Sequence, residues 1–262
     1  MGALGIIICQ SLELEFAYVM ANDPDVKSVY VLRDHYSTGF EEGILHFGGS
    51  SPQLIHYLPE YPGIPADGLE VVVRVLKIGL HKVIREVRDK VVGAAEEMGP
   101  HVDAILIGYG LCGNALDKPD ELFAHVGVPV LLPMEEFHPV DDCVGLIIGG
   151  RENYYEEQCK CAGTWFMNSG FARHWKTLRD DVTKGRGDSS HPELLKRYLA
   201  EYKRTLLLPT PVMSEEELAD TVADFNESFG LHNEVRPGTL DLLYRAWNEA
   251  KQRASERKIP EP

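Results

Sequence analysis

Apolar runs alternate with amphipathic stretches through the first two thirds of the chain, which predicts strands separated by helices. Residues 4–9 (LGIIIC) form a short, nearly continuous apolar run, the pattern of a strand covered on both faces. The stretch SLELEFAYVMAN follows, with Leu12, Phe16, Val19 and Met20 at helical spacing and Ser11 placed to cap the first turn. Further strands are predicted over 26–32, 102–110 and 128–133, and a fifth over 163–168. Between the second and third, the pattern reads as one long helix over about 69–98. Val72, Val75, Leu76, Ile78, Val83, Ile84 and Val87 make its apolar stripe. Strands separated by helices imply a mostly parallel sheet with right-handed crossovers, hence an α/β fold: a mostly parallel sheet flanked by helices.

Two regions depart from that rhythm. Residues 36–67 hold Gly39, Gly43, Gly48, Gly49, Pro52, Pro59, Pro62, Gly63 and Pro65 among aromatics and histidines, which predicts a long ordered excursion or lid rather than a core element. From about His191 the strand signals fade into helical stretches. These are HPELLKRYLAEYKR, then SEEELADTVADF with Ser214 and Glu217 as a capping box, then TLDLLYRAWNEAKQRASERK. The expected organisation is an α/β domain over 1–183, a joint at KGRGDSS (184–190), and a helical C-terminal section over 191–258 packed on the domain.

Composition narrows the function classes. With 262 residues and 44% hydrophobic content the chain can bury a sizeable core. Forty-one acidic against 26 basic residues give a net charge of -15, which argues against nucleic acid or an anionic membrane surface as partner. An acidic surface suits docking to a basic protein. No apolar run approaches the roughly 20 residues that span a bilayer, and the opening GALGIIIC lacks the basic start of a secretory signal. A cytoplasmic protein is expected, with its five cysteines as thiols.

The placement of those thiols is the main chemical signal. Ligands of open parallel sheets bind at the carboxyl ends of strands. Cys9 ends the first strand, Cys112 lies in the loop after the third, and Cys143 follows the fourth inside DDCVGLIIG. That segment reads as a helix start capped by Asp141 or Asp142, with the Cys143 thiol against the positive end of the helix dipole, where a thiolate is favoured. Three thiols on three loops at one end of a sheet can hold a soft metal with one position open. His138 is a candidate fourth ligand or base. His35, His46 and His56, in or beside the excursion, are candidates to close over the site. Arg151 and Tyr154, three apart on a helical face, could anchor an anionic substrate group; the alternative for Arg151 is a surface ion pair with Glu152 or Glu156. Cys159 and Cys161 read as peripheral, at the frayed end of the helix RENYYEEQ. A competing reading takes Gly108 to Gly113 (GYGLCG) as a nucleotide loop, with Glu135 or Glu136 as the ribose acid. Against it, no helix can begin properly before Pro119, and a thiol would lie in the path of the pyrophosphate.

The strings ILIGYGLCGN (105–114), DDCVGLIIGGRENYYEE (141–157) and GTWFMNSGF (163–171) resemble the family DUF1638, a domain of unknown function. Its members occur in methanogens and other anaerobes, often encoded near corrinoid-dependent methyltransferases. A weaker likeness continues in GTLDLLYRAWNEA (238–250). Carried onto this chain, the resemblance marks Cys9, Tyr109, Gly110, Cys112, Asp142, Cys143, Arg151 and Tyr154. The chain departs from the family pattern at HPVDDC, where Asp141 stands in place of a histidine and His138 is displaced, and in a longer excursion. The resemblance strengthens the three-thiolate site without giving a reaction; joined to the thiol chemistry, it leads us to expect an enzyme of anaerobic one-carbon metabolism acting in methyl transfer with a corrinoid or thiol. Cys9, Cys112 and Cys143 would hold zinc or a [4Fe–4S] cluster. Asp142 and Arg151 would be catalytic, with Tyr109, Gly110, Gly113, Asn114 and Tyr154 binding substrate. Partners would be a small-molecule substrate and a corrinoid protein or methyltransferase. The alternative class is a non-enzymatic carrier of a metal, corrinoid or small ligand that serves a methyltransferase.

Overall fold

β1 (Ala3–Cys9) is buried along its whole length, as its unbroken apolar run demands. It runs through the middle of a six-stranded sheet in a computed structural model, which describes residues 2–63, 68–183 and 199–256. The other members are β2 (Val26–Leu32), β3 (Gln53–Ile55), β4 (Leu69–Leu76), β5 (Ala104–Gly108) and β6 (Val130–Leu131). The spatial order is β3-β2-β4-β1-β5-β6, and every pairing is parallel. Helices α1 (Glu13–Ala21), α2 (Thr38–His46) and α3 (Ile84–Met98) cover it, and α10 (Asp241–Glu256) closes it near the chain's end. The expected α/β class is the observed one.

β4 corrects the long helix expected over 69–98. Val71, Val72, Val73 and Val75 are buried on both faces of a strand, and the helix begins only at Ile84, after Gly79 has turned the chain in the left-handed region (φ 85°). Short apolar runs satisfy either period; the β-branched content was the deciding signal. The excursion over 36–67 likewise holds core elements: α2 buries Phe40 and Ile44, and β3 adds an edge to the sheet. Ser11 does not cap α1. It lies in a 3-10 turn (Gln10–Leu12), and the residue before α1 is Leu12, with no side-chain cap.

After β5 come a short helix α4 (Pro119–Leu122), a small hairpin of β7 (Met134–Glu135) and β8 (His138–Pro139), and helices α5 (Cys143–Ile148) and α6 (Arg151–Lys160). β9 (Thr164–Met167) is the expected fifth strand, but it belongs to a second sheet. That sheet is parallel, with β10 (Arg204–Leu207) between β9 and β11 (His232–Val235). α7 (Ser169–Thr183), α8 (Glu215–Thr221) and α9 (Ala223–Phe229) flank it. The section expected to be helical thus contains two strands, each of four residues. The Ser214–Glu217 capping box and the last helix stand as expected. The joint at 184–190 lies outside the described residues.

Two features of the topology position a site. Cys9 pairs in register with Leu76, and Ile8 with Gly108, so β1, β4 and β5 deliver their following loops to one edge. From β1 the chain moves toward β2, whereas from β5 it moves the other way toward β6. The crevice between β1 and β5 is therefore a topological switch point, where open sheets bind ligands.

Candidate functional site

Cys9 is the last residue of β1, and its sulfur accepts a hydrogen bond from the Ser11 amide at 3.5 Å. Cys112 arrives from β5 through a loop held in an unusual conformation: Cys112, Gly113 and Asn114 all lie in the left-handed region (φ 48°, 67° and 68°). Three such residues in succession, two of them not glycine, mark a backbone held against its own preference by its surroundings. The holding contacts are main-chain: the Leu111 amide donates to Val140 O at 2.8 Å and the Cys112 amide to Asp141 O at 2.9 Å. Gly110 permits this approach, because a Cβ there would lie 2.5 Å from the Asp142 nitrogen. The same contact carries Cys143, which opens α5 behind its cap Asp142; the Asp142 carboxylate accepts from the Gly145 amide at 2.7 Å.

The three loops bring the three thiols together. Cys143 lies within hydrogen-bonding reach of both Cys9 and Cys112, and all three are at most 7% exposed. They line one cavity of about 270 Å³ with Ser11, Tyr109, Gly113, Asp142, Leu80, Val144, His81 and Phe171. Tyr109 is 2% exposed and Ser11 wholly buried, yet neither hydroxyl makes a well-formed hydrogen bond; both abut the Cys9 sulfur. A buried hydroxyl without a well-formed partner costs roughly 1–3 kcal/mol, so both hydroxyls have hydrogen-bonding capacity to offer at the cavity.

The electrostatics differ from those expected for a thiol at a helix start. The neighbouring Cys143 thiol and burial push Cys9 well up. Cys143 is also well above the usual thiol range, chiefly through Cys112, and burial adds to this. Among the described residues, no Lys or Arg lines the cavity to favour a thiolate. Burial likewise raises the Asp142 carboxyl and the Tyr109 phenol. Burial thus favours the neutral thiol at Cys9 and Cys143, and a soft cation would favour the thiolate. As the side chains stand, no group of three or more His, Cys, Asp or Glu among the described residues is arranged as metal ligands. The thiols face one another, and loading would require them to turn toward a common point. Their chemistry fits a soft centre: three sulfurs from separate loops, no Lys or Arg on the lining among the described residues, and two hydroxyls without well-formed partners.

Other candidates lie elsewhere. Arg151 is outside the cavity, in an exposed pair with Asp141 at 2.5 Å rather than with Glu152 or Glu156; this pair holds the Asp141 carboxyl below the usual range. Tyr154 stacks on Phe166 (centroids 4.6 Å apart) and lines a neighbouring hollow with Val144, His81 and Phe171. Asn114 is exposed on the loop. His138 is exposed beside Arg151, and His35, His46 and His56 are exposed away from the cavity. Cys159 is exposed on α6, and Cys161 follows its last turn. The Glu135 carboxylate accepts from the Arg151 amide at the start of α6 (2.9 Å), and Glu136 is exposed, so neither faces the GYGLCG loop. That loop leads into no long helix, since α4 has four residues. The geometry is not that of a dinucleotide fold.

His81 escaped sequence reasoning because it falls in the stretch that read as helix. It stands on the turn after β4, at the mouth of the thiol cavity. The available signal was Gly79, two residues earlier, which breaks a helix and delivers the next residues to the strand's end.

The profile of DUF1638, described as a protein of unknown function, matches residues 75–247. The chain belongs to this family. Cys112 and Cys143 fall inside the matched segment and Cys9 before it. No curated protein and no solved structure matches the chain. Among the described residues of this DUF1638 member, no helix is long and apolar enough to cross a membrane.

Proposed function

We propose that Cys9, Cys112 and Cys143 together hold a soft metal centre, zinc or a [4Fe–4S] cluster with one position open, in an enzyme of anaerobic one-carbon metabolism. The reaction is methyl transfer to or from a thiol or corrinoid. The observation that carries this reading is the meeting of three thiols from three loops at the switch-point cavity, beside the partnerless hydroxyls of Tyr109 and Ser11. When bound, such a centre supplies a Lewis acid that keeps a substrate thiol as a nucleophilic thiolate near neutral pH. The protein's residues provide the setting. Asp142 fixes the start of α5 and hence Cys143. Leu80, Val144 and Phe171 give the cavity apolar walls. Tyr109 and Ser11 have hydrogen bonds to give to a bound sulfur or oxygen. A reducing cytoplasm is the compartment this chemistry needs, and the acidic surface suits a basic corrinoid protein or methyltransferase as partner.

Anaerobic purification with metal and sulfide analysis tests the centre on the native chain and on Cys9→Ala, Cys112→Ala and Cys143→Ala. Stoichiometric metal in the native protein and its loss from each variant are expected. Metal retained by all three variants, or none in the native protein, overturns the reading. Turnover of methylcobalamin with a thiol, absent in Cys143→Ala, distinguishes the enzyme from a carrier, which would bind without turnover.

A further inference from the structure

β9 ends at Met167, and the next three residues each touch the turn that follows Cys9 or the helix it opens. Asn168 Nδ2 donates to Ser11 O at 2.7 Å, and Ser169 Oγ donates to Glu15 Oε1 at 2.6 Å. Gly170 lies so close that a Cβ there would stand 2.4 Å from the Ser11 oxygen and 2.5 Å from the Ser11 Cα. Ser11 is the residue held in this way. Its amide donates to the Cys9 sulfur at 3.5 Å, and its hydroxyl lies beside the sulfurs of Cys9 and Cys143. Asn168 and Ser11 are both wholly buried. A side chain at the end of β9 thus fixes the peptide that faces the Cys9 sulfur.

Capping of α7 alone does not ask for this arrangement. Asn168 precedes α7, and its Oδ1 accepts from the Phe171 amide at 3.0 Å, the ordinary bond of a helix cap. Asp or Ser makes that bond equally well. The Nδ2 donor is what asparagine adds, and here it goes to a carbonyl 157 residues away in the sequence. One buried amide therefore ties the residue behind Cys9 to the backbone of Phe171, whose ring lines the same cavity. We propose that Asn168 is a positioning residue of the thiol centre, holding the Ser11 carbonyl so that the Ser11 amide stays aimed at the Cys9 sulfur. Where metal is concerned this rests on the preceding reading; the aiming of Cys9 is a property of the chain alone. Donors behind a ligating atom orient it and tune its charge, and their loss typically weakens metal binding about 10–100-fold. Cys112 is held differently, by the main chain of Val140 and Asp141, so Asn168 acts on Cys9 and not on it.

The test sets the full native chain beside Asn168→Ser and Asn168→Asp, which keep a cap for α7 and lose the amide donor. Ser214→Ala removes the cap of α8, off the cavity lining, and is the control for lost stability alone. Cadmium is titrated against a competing chelator and read by its sulfur-to-metal charge-transfer absorption. One equivalent is expected in all four proteins, with an affinity about tenfold weaker in both Asn168 variants. Ser214→Ala is expected to stay within about twofold of native. On the metal-free, reduced chain, alkylation by iodoacetamide is followed by peptide mass spectrometry. Asn168→Ser is expected to label Cys9 about threefold faster than native, with Cys112 within about twofold. A native rate at Cys9, an equal rise at Cys112, or a cadmium affinity that is native or no weaker than in Ser214→Ala overturns the proposal. If the native chain binds no cadmium, the metal reading fails, and the Cys9 rate by itself decides for or against Asn168.

Discussion

Gly110 lacks a side chain because the backbone of Val140 to Asp142 occupies the place where one would stand, with the Asp142 nitrogen 2.5 Å and the Val140 oxygen 2.6 Å from a Cβ. Backbone cannot rotate away as a side chain can, so Gly110→Ala should separate the Cys112 loop from Cys143. The expected cost is about 1–3 kcal/mol, the usual range for overpacking, together with loss of bound metal; urea denaturation and metal analysis of the variant check both. Glu15 offers a second residue-scale prediction. Its carboxyl is pushed up to about 7, mainly by burial and slightly by Glu13, against the opposing hydrogen bond from Ser169 Oγ at 2.6 Å. In the unfolded chain it titrates near about 4.3. Between those values the folded protein keeps a proton that the unfolded chain releases, so Glu15's contribution is complete below about pH 4.3 and is lost as pH rises through about 7. Glu15→Gln retains an acceptor for Ser169 and removes the titration. Relative to native, the variant should gain a few kcal/mol in urea denaturation between pH 4.5 and pH 8. An equal stability difference at both pH values would sink the assignment.

At the scale of elements, Arg204 on β10 ties the second sheet to α6. Its guanidinium donates to Glu157 Oε2 at 2.9 Å, Glu157 O at 2.8 Å and Thr164 Oγ1 at 2.8 Å, and it also pairs with Glu234. Arg204 and Glu157 are nearly inaccessible, and although burial raises the Glu157 carboxyl, Lys160, Arg236 and Arg204 bring it to about 2. Removing one partner of a buried pair costs more than the pair contributes. Arg204→Met should therefore lose about 3 kcal/mol, the low end of that range because Lys160 and Arg236 still face Glu157. The loss should appear first as faster amide exchange in β10. This sheet was also the least legible part of the chain. β10 is RTLL and β11 is HNEV, too short for a period and, in β11, exposed throughout. Strands of that kind are specified by their partners across space. β1, β2, α5 with its aspartate cap, and α10 could be read directly because each carries a full apolar pattern or a cap. β4 was misread because Val72, Val75 and Leu76 fit a helical stripe as well as a strand. The meeting of the cysteines was legible in part from the topology, since Cys9 ends β1 and Cys112 follows β5 of one parallel sheet, while Cys143 comes after the β7–β8 hairpin. The partnerless hydroxyls of Ser11 and Tyr109 were not, because hydrogen-bond satisfaction is a property of the folded surroundings. The same holds for the Cys112 thiol that, with burial, raises Cys143.

Taken as a whole, the molecule has a main core around the six-stranded sheet and a second one around Met167, Trp175, Leu207 and Phe225, with Phe171 and Met213 packed against both. Asn168 Nδ2 donates to Ser11 O at 2.7 Å, and Gly170 packs against that same carbonyl, so the start of α7 is fastened to the turn that follows Cys9. The thiol cavity, with Cys9, Cys112 and Cys143 on one side and Phe171 on the other, lies across this junction. Filling it should therefore stabilise the molecule globally rather than stiffen one loop. Cadmium is a suitable probe, being soft, redox-inert and visible through its sulfur-to-metal charge-transfer absorption. A ligand that binds only the folded state, at a free concentration one hundredfold above its Kd, adds about 2.7 kcal/mol. In a domain of this size each kcal/mol raises Tm by about 2–4 °C. The native protein with cadmium should then melt roughly 5–10 °C higher, by the same conversion, as a single transition reported identically by tryptophan emission and far-ultraviolet circular dichroism. Cys112→Ser should show neither the charge-transfer band nor the rise. A rise of equal size in Cys112→Ser would place the ion on other ligands, such as Cys159 and Cys161. A band without a rise would mean that the thiols bind it equally well in the unfolded chain.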